Sequence, residues 1–155
     1  MEEMSIRDVP GHLDRGPALS DWFAISQSLV DAFADVTGDR QFIHTDPARA
    51  VAEGPFGGTV AHGLLTLSLL PAMAKQALPP IGNVRSSVNY GFDRVRFVAP
   101  VRVGARIRGR FGLHSLAPRG ADAVMMTWDV TVEIERSERP ALLATWLGLR
   151  YLAAA

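Results

Sequence analysis

Residues 38–74 read GDRQFIHTDPARAVAEGPFGGTVAHGLLTLSLLPAMA, and this stretch organises the rest of the chain. It places a carboxylate and an imidazole five residues apart, at Asp39 and His44, and then joins a second imidazole, His62, to an apolar segment. That segment, residues 63–78, has the length of a helix, and its apolar residues run around all sides. We therefore expect a central helix that is enclosed by a sheet.

The composition favours one domain of a cytoplasmic protein. The chain has 155 residues, of which 48% are hydrophobic, and a domain of this size buries roughly 70% of its unfolded surface. Its net charge of zero provides no basic field for nucleic acid. The absence of cysteine excludes disulfides and thiolate nucleophiles. No run reaches the roughly 18 apolar residues of a membrane span, and the first residues lack the features of a secretory signal. We expect neither nucleic acid nor a membrane as a partner.

The first residues and the rest of the chain differ in pattern. Residues 1–19 carry several prolines and glycines with little periodicity, which predicts a flexible N-terminal lead-in. A single domain then occupies residues 20–155.

Helix signals stand on both sides of Asp39 and His44. Ser26 is a suitable N-cap and Gly38 a suitable stop, which predicts a helix between them. Asp46 followed by Pro47 predicts the start of a second, short helix that ends before Gly54. The residues between Gly38 and Asp46 then form a loop.

Pro71 lies inside the segment expected to form the central helix. Proline in a helix interior removes one hydrogen bond and costs about 3 kcal/mol. We expect a kink or a break there.

From Val84 onward the apolar residues follow a period of two, which is typical of strands. The even positions between Val124 and Ile134 are apolar, whereas Leu142 to Leu152 is apolar on both faces and is therefore expected at the centre of the sheet. Turn signals between these runs predict an antiparallel meander of four or five strands. The fold class is α+β.

The edge strand of such a sheet exposes unpaired backbone N–H and C=O groups. Pairing of the sheet edges of two copies would satisfy these groups, so we expect a homodimer.

Two motifs carry a family resemblance. The runs TGDRQFIHTDPARA (residues 37–50) and GPFGGTVAHGLLTLSL (residues 54–69) resemble the hydratase motif of the MaoC-like (R)-specific enoyl-CoA hydratases. The run NYGFDRVRFVAPVRVG (residues 89–104) is similar to the nodulation-protein-N-like branch of that family. The resemblance implies the hot-dog fold, an antiparallel sheet wrapped around a central helix.

The resemblance also implies roles for individual residues. Asp39 and His44 match the catalytic aspartate and histidine that position and activate water. Gly63 matches the glycine whose backbone N–H faces the thioester carbonyl. Some members carry a supporting serine where this chain has Pro71, so either Ser68 or ordered backbone is expected to take over its role.

These roles meet the needs of one reaction. Addition of water to a trans-2-enoyl thioester requires a base for the water, a proton donor for the α-carbon and stabilisation of the enolate oxygen. A carboxylate with an imidazole supplies the first two, and a helix N-terminus the third. The expected activity is (R)-specific hydration of enoyl-CoA to 3-hydroxyacyl-CoA and its reversal. No cofactor is expected beyond the coenzyme A or acyl carrier protein of the substrate.

Each candidate residue also has a structural alternative. Asp39 could be a turn residue after a helix, and His44 a hydrogen-bonded loop residue. His62 fits a buried structural histidine bonded to the backbone at least as well as a pocket residue. The three together could hold iron in a two-histidine, one-carboxylate site, but their spacing matches a metal-free hydratase better, and we expect no metal.

Other candidates carry weaker signals. The arginines between Arg94 and Arg110 could bind coenzyme A phosphates, but their alternation with apolar residues favours a solvated sheet face. Asn89 and Tyr90 are candidates to border the acyl tunnel.

Two other functions use the same fold. A hot-dog thioesterase would release free thiol from an acyl-CoA. A non-catalytic subunit would bind an acyl thioester without turnover, and the presence of both Asp39 and His44 argues against it.

Overall fold

A six-stranded antiparallel sheet is the main element of the computed structural model, which describes residues 3–13 and 16–153. The helices are α1 at Val9–Leu13, α2 at Gln27–Thr37, α3 at Phe42–Thr45, α4 at Pro47–Glu53, α5 at Gly63–Ser68 and α6 at Leu70–Ala77. The strands are β1 at Ala18–Leu19, β2 at Phe23–Ala24, β3 at Val84–Phe97, β4 at Arg106–Pro118, β5 at Ala123–Ile134 and β6 at Leu142–Leu152.

The strands lie in the order β1, β4, β5, β6, β3, and β2 pairs with β4 beside β1. The last strand, β6, lies between β5 and β3, which confirms its predicted central place. The short strands β1 and β2 form one edge of the sheet, and β3 forms the opposite edge.

The predicted meander is wrong for β3. Strands β4, β5 and β6 do follow one another as neighbours, but β3 pairs with β6, from Val84 opposite Leu152 to Phe97 opposite Leu142. After β3 the chain runs beside the start of the helical layer, where the Ala61 N–H donates to the Val101 carbonyl at 2.8 Å. It then enters β4 on the far side of the sheet. The alternating pattern identifies strands but not their partners, so the sequence could not show this crossover.

The predicted central helix consists of two pieces, α5 and α6, which are separated at Leu69. The expected break is therefore present. Pro71 occupies the first turn of α6, and not a helix interior, so its missing N–H costs no bond within the helix.

Within residues 3–13 and 16–153, none of the helices is long and apolar enough to span a membrane.

The helical layer packs on one face of the sheet. Leu70 and Met73 of α6 are fully buried in the same cluster as Phe111 of β4 and Trp128 of β5. This packing of a helix against an antiparallel sheet confirms the α+β hot-dog fold.

Not every side of the central helix is covered in the described chain. Leu64 of α5 is 59% exposed, and Pro71, Ala72 and Lys75 of α6 are also exposed. The sheet covers one face of the helix, and the opposite face is open because no second layer lies over it in the described chain.

The local helix signals are confirmed. The Ser26 side chain caps α2 by accepting from the Leu29 N–H, and Asp46 caps α4 in the same way. The loop predicted between Gly38 and Asp46 instead contains the single helical turn α3.

The expectation of little regular structure before residue 20 is wrong for residues 3–13 and 16–19. A 3-10 turn at Ile6–Asp8 leads into α1, where Val9 is buried, and β1 pairs with β4. Residues 1, 2, 14 and 15 of that predicted lead-in, and residues 154 and 155 of the predicted domain, lie outside the described residues.

Candidate active site

Asp39 follows the end of α2, where Gly38 reverses the chain. Gly38 has φ 78°, in the left-handed region that glycine adopts without steric cost. Its N–H donates to the Ala34 carbonyl at 2.8 Å, which closes the last turn of α2. The Asp39 side chain is exposed. Its carboxylate is thus presented at the end of a helix and is open to a ligand.

His44 is buried on the turn α3, and a backbone carbonyl orients its ring. The ring Nδ1 lies 2.7 Å from the carbonyl oxygen of Val60. Because a carbonyl only accepts hydrogen bonds, Nδ1 carries the proton in this contact. A neutral ring then keeps its lone pair on Nε2, on the other side of the ring. His44 is therefore held as an acceptor of a proton.

Gln27 of α2 joins the segments that hold His44. Its Nε2 donates to the His44 carbonyl at 2.7 Å and to Oδ1 of Asp31 at 2.8 Å. Its Oε1 accepts from the Thr59 hydroxyl at 2.6 Å, next to the residue that orients the His44 ring. The sequence pattern does not single out Gln27. Its position at the start of α2 gives no local sign of a contact with Thr59, which lies 32 residues away.

His62 supports the same loop from the start of α5. Its Nε2 lies 2.8 Å from the backbone carbonyl of Asp39, and its ring stacks on His44 with centroids 3.8 Å apart. The Phe33 ring packs at 5.1 Å. The bond to a backbone carbonyl is the arrangement expected of a structural histidine. Since Nε2 donates in this bond, a neutral His62 ring carries no proton on Nδ1.

The three polar side chains of this stretch meet at one place. Potential ligand atoms of Asp39, His44 and His62 all lie within 4.8 Å of one another. A hydrogen bond spans about 2.7–3.2 Å, so two groups at this separation can contact one water molecule between them. The donor set is also one that a divalent metal accepts. The arrangement therefore suits either a shared water or a metal.

Gly63 begins α5 directly after His62. Gly63 is the first residue of the helix, so its N–H has no carbonyl partner within the helix and points outward. A Cβ at this position would lie 2.8 Å from the nearest atom of the Phe97 ring. A larger residue here would therefore force the Phe97 ring, which is 52% exposed, to move.

The other three predicted site residues have different surroundings. The Ser68 hydroxyl is exposed and donates to the Leu64 carbonyl of its own helix at 2.7 Å. Asn89 lines a cavity between α6 and the sheet. The Tyr90 side chain is 51% exposed, and its hydroxyl accepts from Arg119 at 3.0 Å. Tyr90 is not among the residues that line the cavity of Asn89.

Two arginines of β4 form ion pairs with residues of the neighbouring chain segment near the end of β5. Arg106 pairs with Glu135, and Arg108 lies 2.7 Å from Glu133. The hydrogen bond from Arg106 holds the pKa of the Glu135 carboxyl below its ordinary value. These contacts match the solvated sheet face that the alternating pattern favours.

Comparisons with known proteins identify relatives over nearly the whole chain. The family model described as "MaoC like domain" matches residues 8–134. The chain is 50% identical to Nodulation protein N of Rhizobium leguminosarum bv. viciae over 149 residues, which cover 96% of this chain and 92% of the relative. It is 44% identical to 3-hydroxyacyl-thioester dehydratase Z of Mycobacterium tuberculosis over 149 residues, which cover 96% of this chain and 97% of that protein.

A solved structure shares the fold. The R-hydratase PhaJ1 of Pseudomonas aeruginosa, in its unliganded form, superposes with a TM-score of 0.68. The match covers 90% of this chain and 81% of the other at 23% sequence identity. At that identity the likeness concerns the fold.

Proposed function

The chain belongs to the MaoC-like domain family, and from that premise we propose that it is an (R)-specific enoyl-thioester hydratase. It adds water to trans-2-enoyl thioesters and removes water from 3-hydroxyacyl thioesters. The observation that carries the proposal is the orientation of His44, whose Nδ1 is bonded to a carbonyl while the Asp39 carboxylate lies close by. A relative named 3-hydroxyacyl-thioester dehydratase, 44% identical, supports the reaction class.

The Asp39 and His44 pair handles the protons. One water molecule donates its two hydrogens to the carboxylate and to Nε2 of His44, which fixes its oxygen toward the β-carbon. As the new C–O bond forms, one member of the pair takes a proton from the water, and the electrons of the double bond move onto the thioester oxygen. The pair then returns a proton to the α-carbon. Dehydration is the same sequence in reverse.

The Gly63 N–H stabilises the enolate oxygen. Negative charge on the thioester oxygen grows as water adds, and an N–H that is already directed outward from a helix needs no reorganisation to meet it. This assigns the helix terminus, and not the His62 ring, to the carbonyl end of the substrate.

The substrate carrier is coenzyme A or acyl carrier protein, and no further cofactor takes part.

We also propose a homodimer that forms through β3. This edge strand is 14 residues long, and it exposes the apolar side chains of Val88, Tyr90, Phe92 and Phe97. Light scattering on purified protein tests this point, and a monomer at micromolar concentration would contradict it. The cysteine-free composition suits the cytoplasm as the place of action.

The deciding assay follows the loss of enoyl-thioester absorbance after crotonyl-CoA or a longer enoyl-CoA is added. The variants Asp39→Asn and His44→Gln are expected to lose roughly 10²–10⁴-fold in kcat, the usual contribution of a general acid or base. Full activity in both variants contradicts the proposal.

A second measurement separates the other functions. Release of free coenzyme A without hydration would identify a thioesterase. Binding of an acyl-CoA without either reaction would identify a non-catalytic subunit.

A further inference from the structure

A cavity of about 600 Å³ lies between α6 and the sheet. It is lined neither by Asp39 nor by His44. The residues that α6 contributes, Pro71, Ala74 and Lys75, follow the spacing of one helix face. The volume falls within the range of about 300–1,000 Å³ that small-molecule sites occupy. The cavity can therefore hold a ligand of moderate size.

The sheet side of this cavity carries a polar group within apolar walls. Arg150 of β6 stands opposite Ser87 of β3, and two positions along the strands Gly148 stands opposite Asn89. Ser87, Asn89 and Arg150 all line the cavity. Opposite residues of paired strands share a face, so the hydroxyl, the amide and the guanidinium form one cluster.

Gly148 makes room for the guanidinium of Arg150. A Cβ at this position would lie 3.1 Å from Nη1 and 3.7 Å from Cζ of Arg150. The arginine thus folds back along its own strand over the bare backbone of Gly148. Burial lowers the pKa of the Arg150 guanidinium, but a guanidinium stays protonated in proteins.

The charges around the cavity are unbalanced. Lys75 and Arg150 line it, and no aspartate or glutamate does. Within the described part of the chain, no carboxylate lies within salt-bridge distance of Arg150. A cation that has lost part of its hydration without gaining a counterion is costly. The site therefore favours an anion.

The remaining walls are apolar. Trp128 and Trp146 are almost fully buried, and their indole Nε1 atoms have no partner among the described residues. Leu78, Ile81 and Val84 complete an aliphatic lining. An aliphatic chain complements these walls, and a negatively charged end complements the Arg150 guanidinium.

We propose that this cavity binds the carboxylate at the end of an aliphatic chain, and that Arg150 is the residue that binds it. Pro71, on the wall of the cavity, follows Gly63 by eight residues, across the break between α5 and α6. An acyl chain whose thioester carbonyl meets Gly63 can reach the cavity by running beside α5 and α6. The ligand is then an acyl thioester with a terminal carboxylate, and in that form the inference rests on the proposed function. A free dicarboxylate also ends in a carboxylate, and it would bind in the cavity as a ligand separate from the substrate.

Kinetics test the substrate form. Two enoyl-CoA thioesters of equal length, one ending in methyl and one in carboxylate, are compared by the ratio of their kcat/KM values. Arg150→Met is expected to lower the preference for the carboxylate about 10- to 100-fold, as for a lost hydrogen bond to a charged group. Arg85→Met is the control, because it removes the same charge from an exposed position of β3 that does not line the cavity.

A binding measurement tests the cavity without turnover. Calorimetry compares octanedioate with octanoate on the wild-type protein and on Arg150→Met. Dependence on Arg150 in the thioester kinetics supports the substrate form. Octanedioate binding that depends on Arg150, without a preference among thioesters, supports a separate ligand. If the protein hydrates no thioester, the proposed function fails and calorimetry alone decides the role of the cavity.

Two further variants guard against misfolding. Arg150→Lys keeps the charge, and Gly148→Ala keeps the arginine but occupies the space beneath its guanidinium. We expect Gly148→Ala to reduce the preference and Arg150→Lys to retain part of it, with melting temperatures compared alongside. The proposal is overturned if neither the thioester ratio nor octanedioate binding changes in folded Arg150 and Gly148 variants.

Discussion

The ring of His62 stacks on the ring of His44, with their planes 24° apart, and its Nε2 bonds to the backbone carbonyl of Asp39. One side chain thus contacts both members of the proposed catalytic pair without offering its own acid or base to the substrate. His62 is therefore a positioning residue for Asp39 and His44. Its Nδ1 is buried and has no partner among the described residues.

A His62→Phe variant separates positioning from stability. Phenylalanine keeps a ring that can stack on His44 but cannot donate to Asp39, so the aspartate loses its anchor. We expect kcat to fall about tenfold or more, as small misplacements of reacting groups can cost up to roughly 10²-fold. The melting temperature should change little, because the change also removes an unsatisfied buried nitrogen. Wild-type kcat in a folded His62→Phe protein would show that the contact with Asp39 is not needed.

Gln27→Leu should destabilise the loop that carries His44. The change removes three hydrogen bonds and leaves the His44 carbonyl and the Thr59 hydroxyl without their partner. We expect a loss of about 1–3 kcal/mol in the free energy of unfolding, or about 2–4 °C in melting temperature for each kcal/mol. Val36→Ala is the control on the same helix, since Val36 is 87% exposed. Equal melting temperatures for the two variants would contradict a structural role for Gln27.

Gly63→Ala should introduce a clash with the Phe97 ring. The new methyl group would lie 2.8–2.9 Å from three ring atoms, including Cγ, so the ring must turn away. Overpacking of this kind costs about 1–3 kcal/mol. The double variant Gly63→Ala with Phe97→Leu is expected to recover stability relative to Gly63→Ala alone. Thermal unfolding of the four proteins of this cycle measures the coupling, and additive effects would argue against the contact.

Chelation should leave hydration unchanged. Nδ1 of His44 and Nε2 of His62 are already bonded to carbonyls, and the proposed reaction needs only proton transfer and an N–H donor. We expect the same kcat before and after dialysis against EDTA. Loss of activity that a divalent metal restores would instead make Asp39, His44 and His62 a metal site.

The features that the sequence predicted correctly depend on residues close together in the chain. The Ser26 cap of α2 bonds to a residue three positions away, and Gly38 acts on the turn directly before it. The period of two in β5 likewise needs no knowledge of its partners. Such signals are visible in a single sequence because the physical contact spans only a few residues.

The features that the sequence did not predict depend on distant residues. The pairing of β3 with β6 joins Val84 to Leu152, and Gln27 bonds to residues 17 and 32 positions away. A glutamine in the first turn of a helix looks like any exposed polar residue until its partners are known. The cluster around Arg150 is hidden for the same reason, because it forms only when two strands pair.

Pro71 offers a test of the helix break at Leu69. Since Pro71 stands in the first turn of α6, its replacement should not add a hydrogen bond, and its fixed backbone should stabilise the fold through the unfolded state. Pro71→Ala is therefore expected to lower the free energy of unfolding by about 0.4–1 kcal/mol. Gln76→Pro is the control in the last turn of the same helix, where proline removes a backbone N–H beyond the first turn and should destabilise the protein by up to about 3 kcal/mol. A clear gain in stability from Pro71→Ala would mean that the proline strains one continuous helix, and that α5 and α6 do not end and begin where the structure places them.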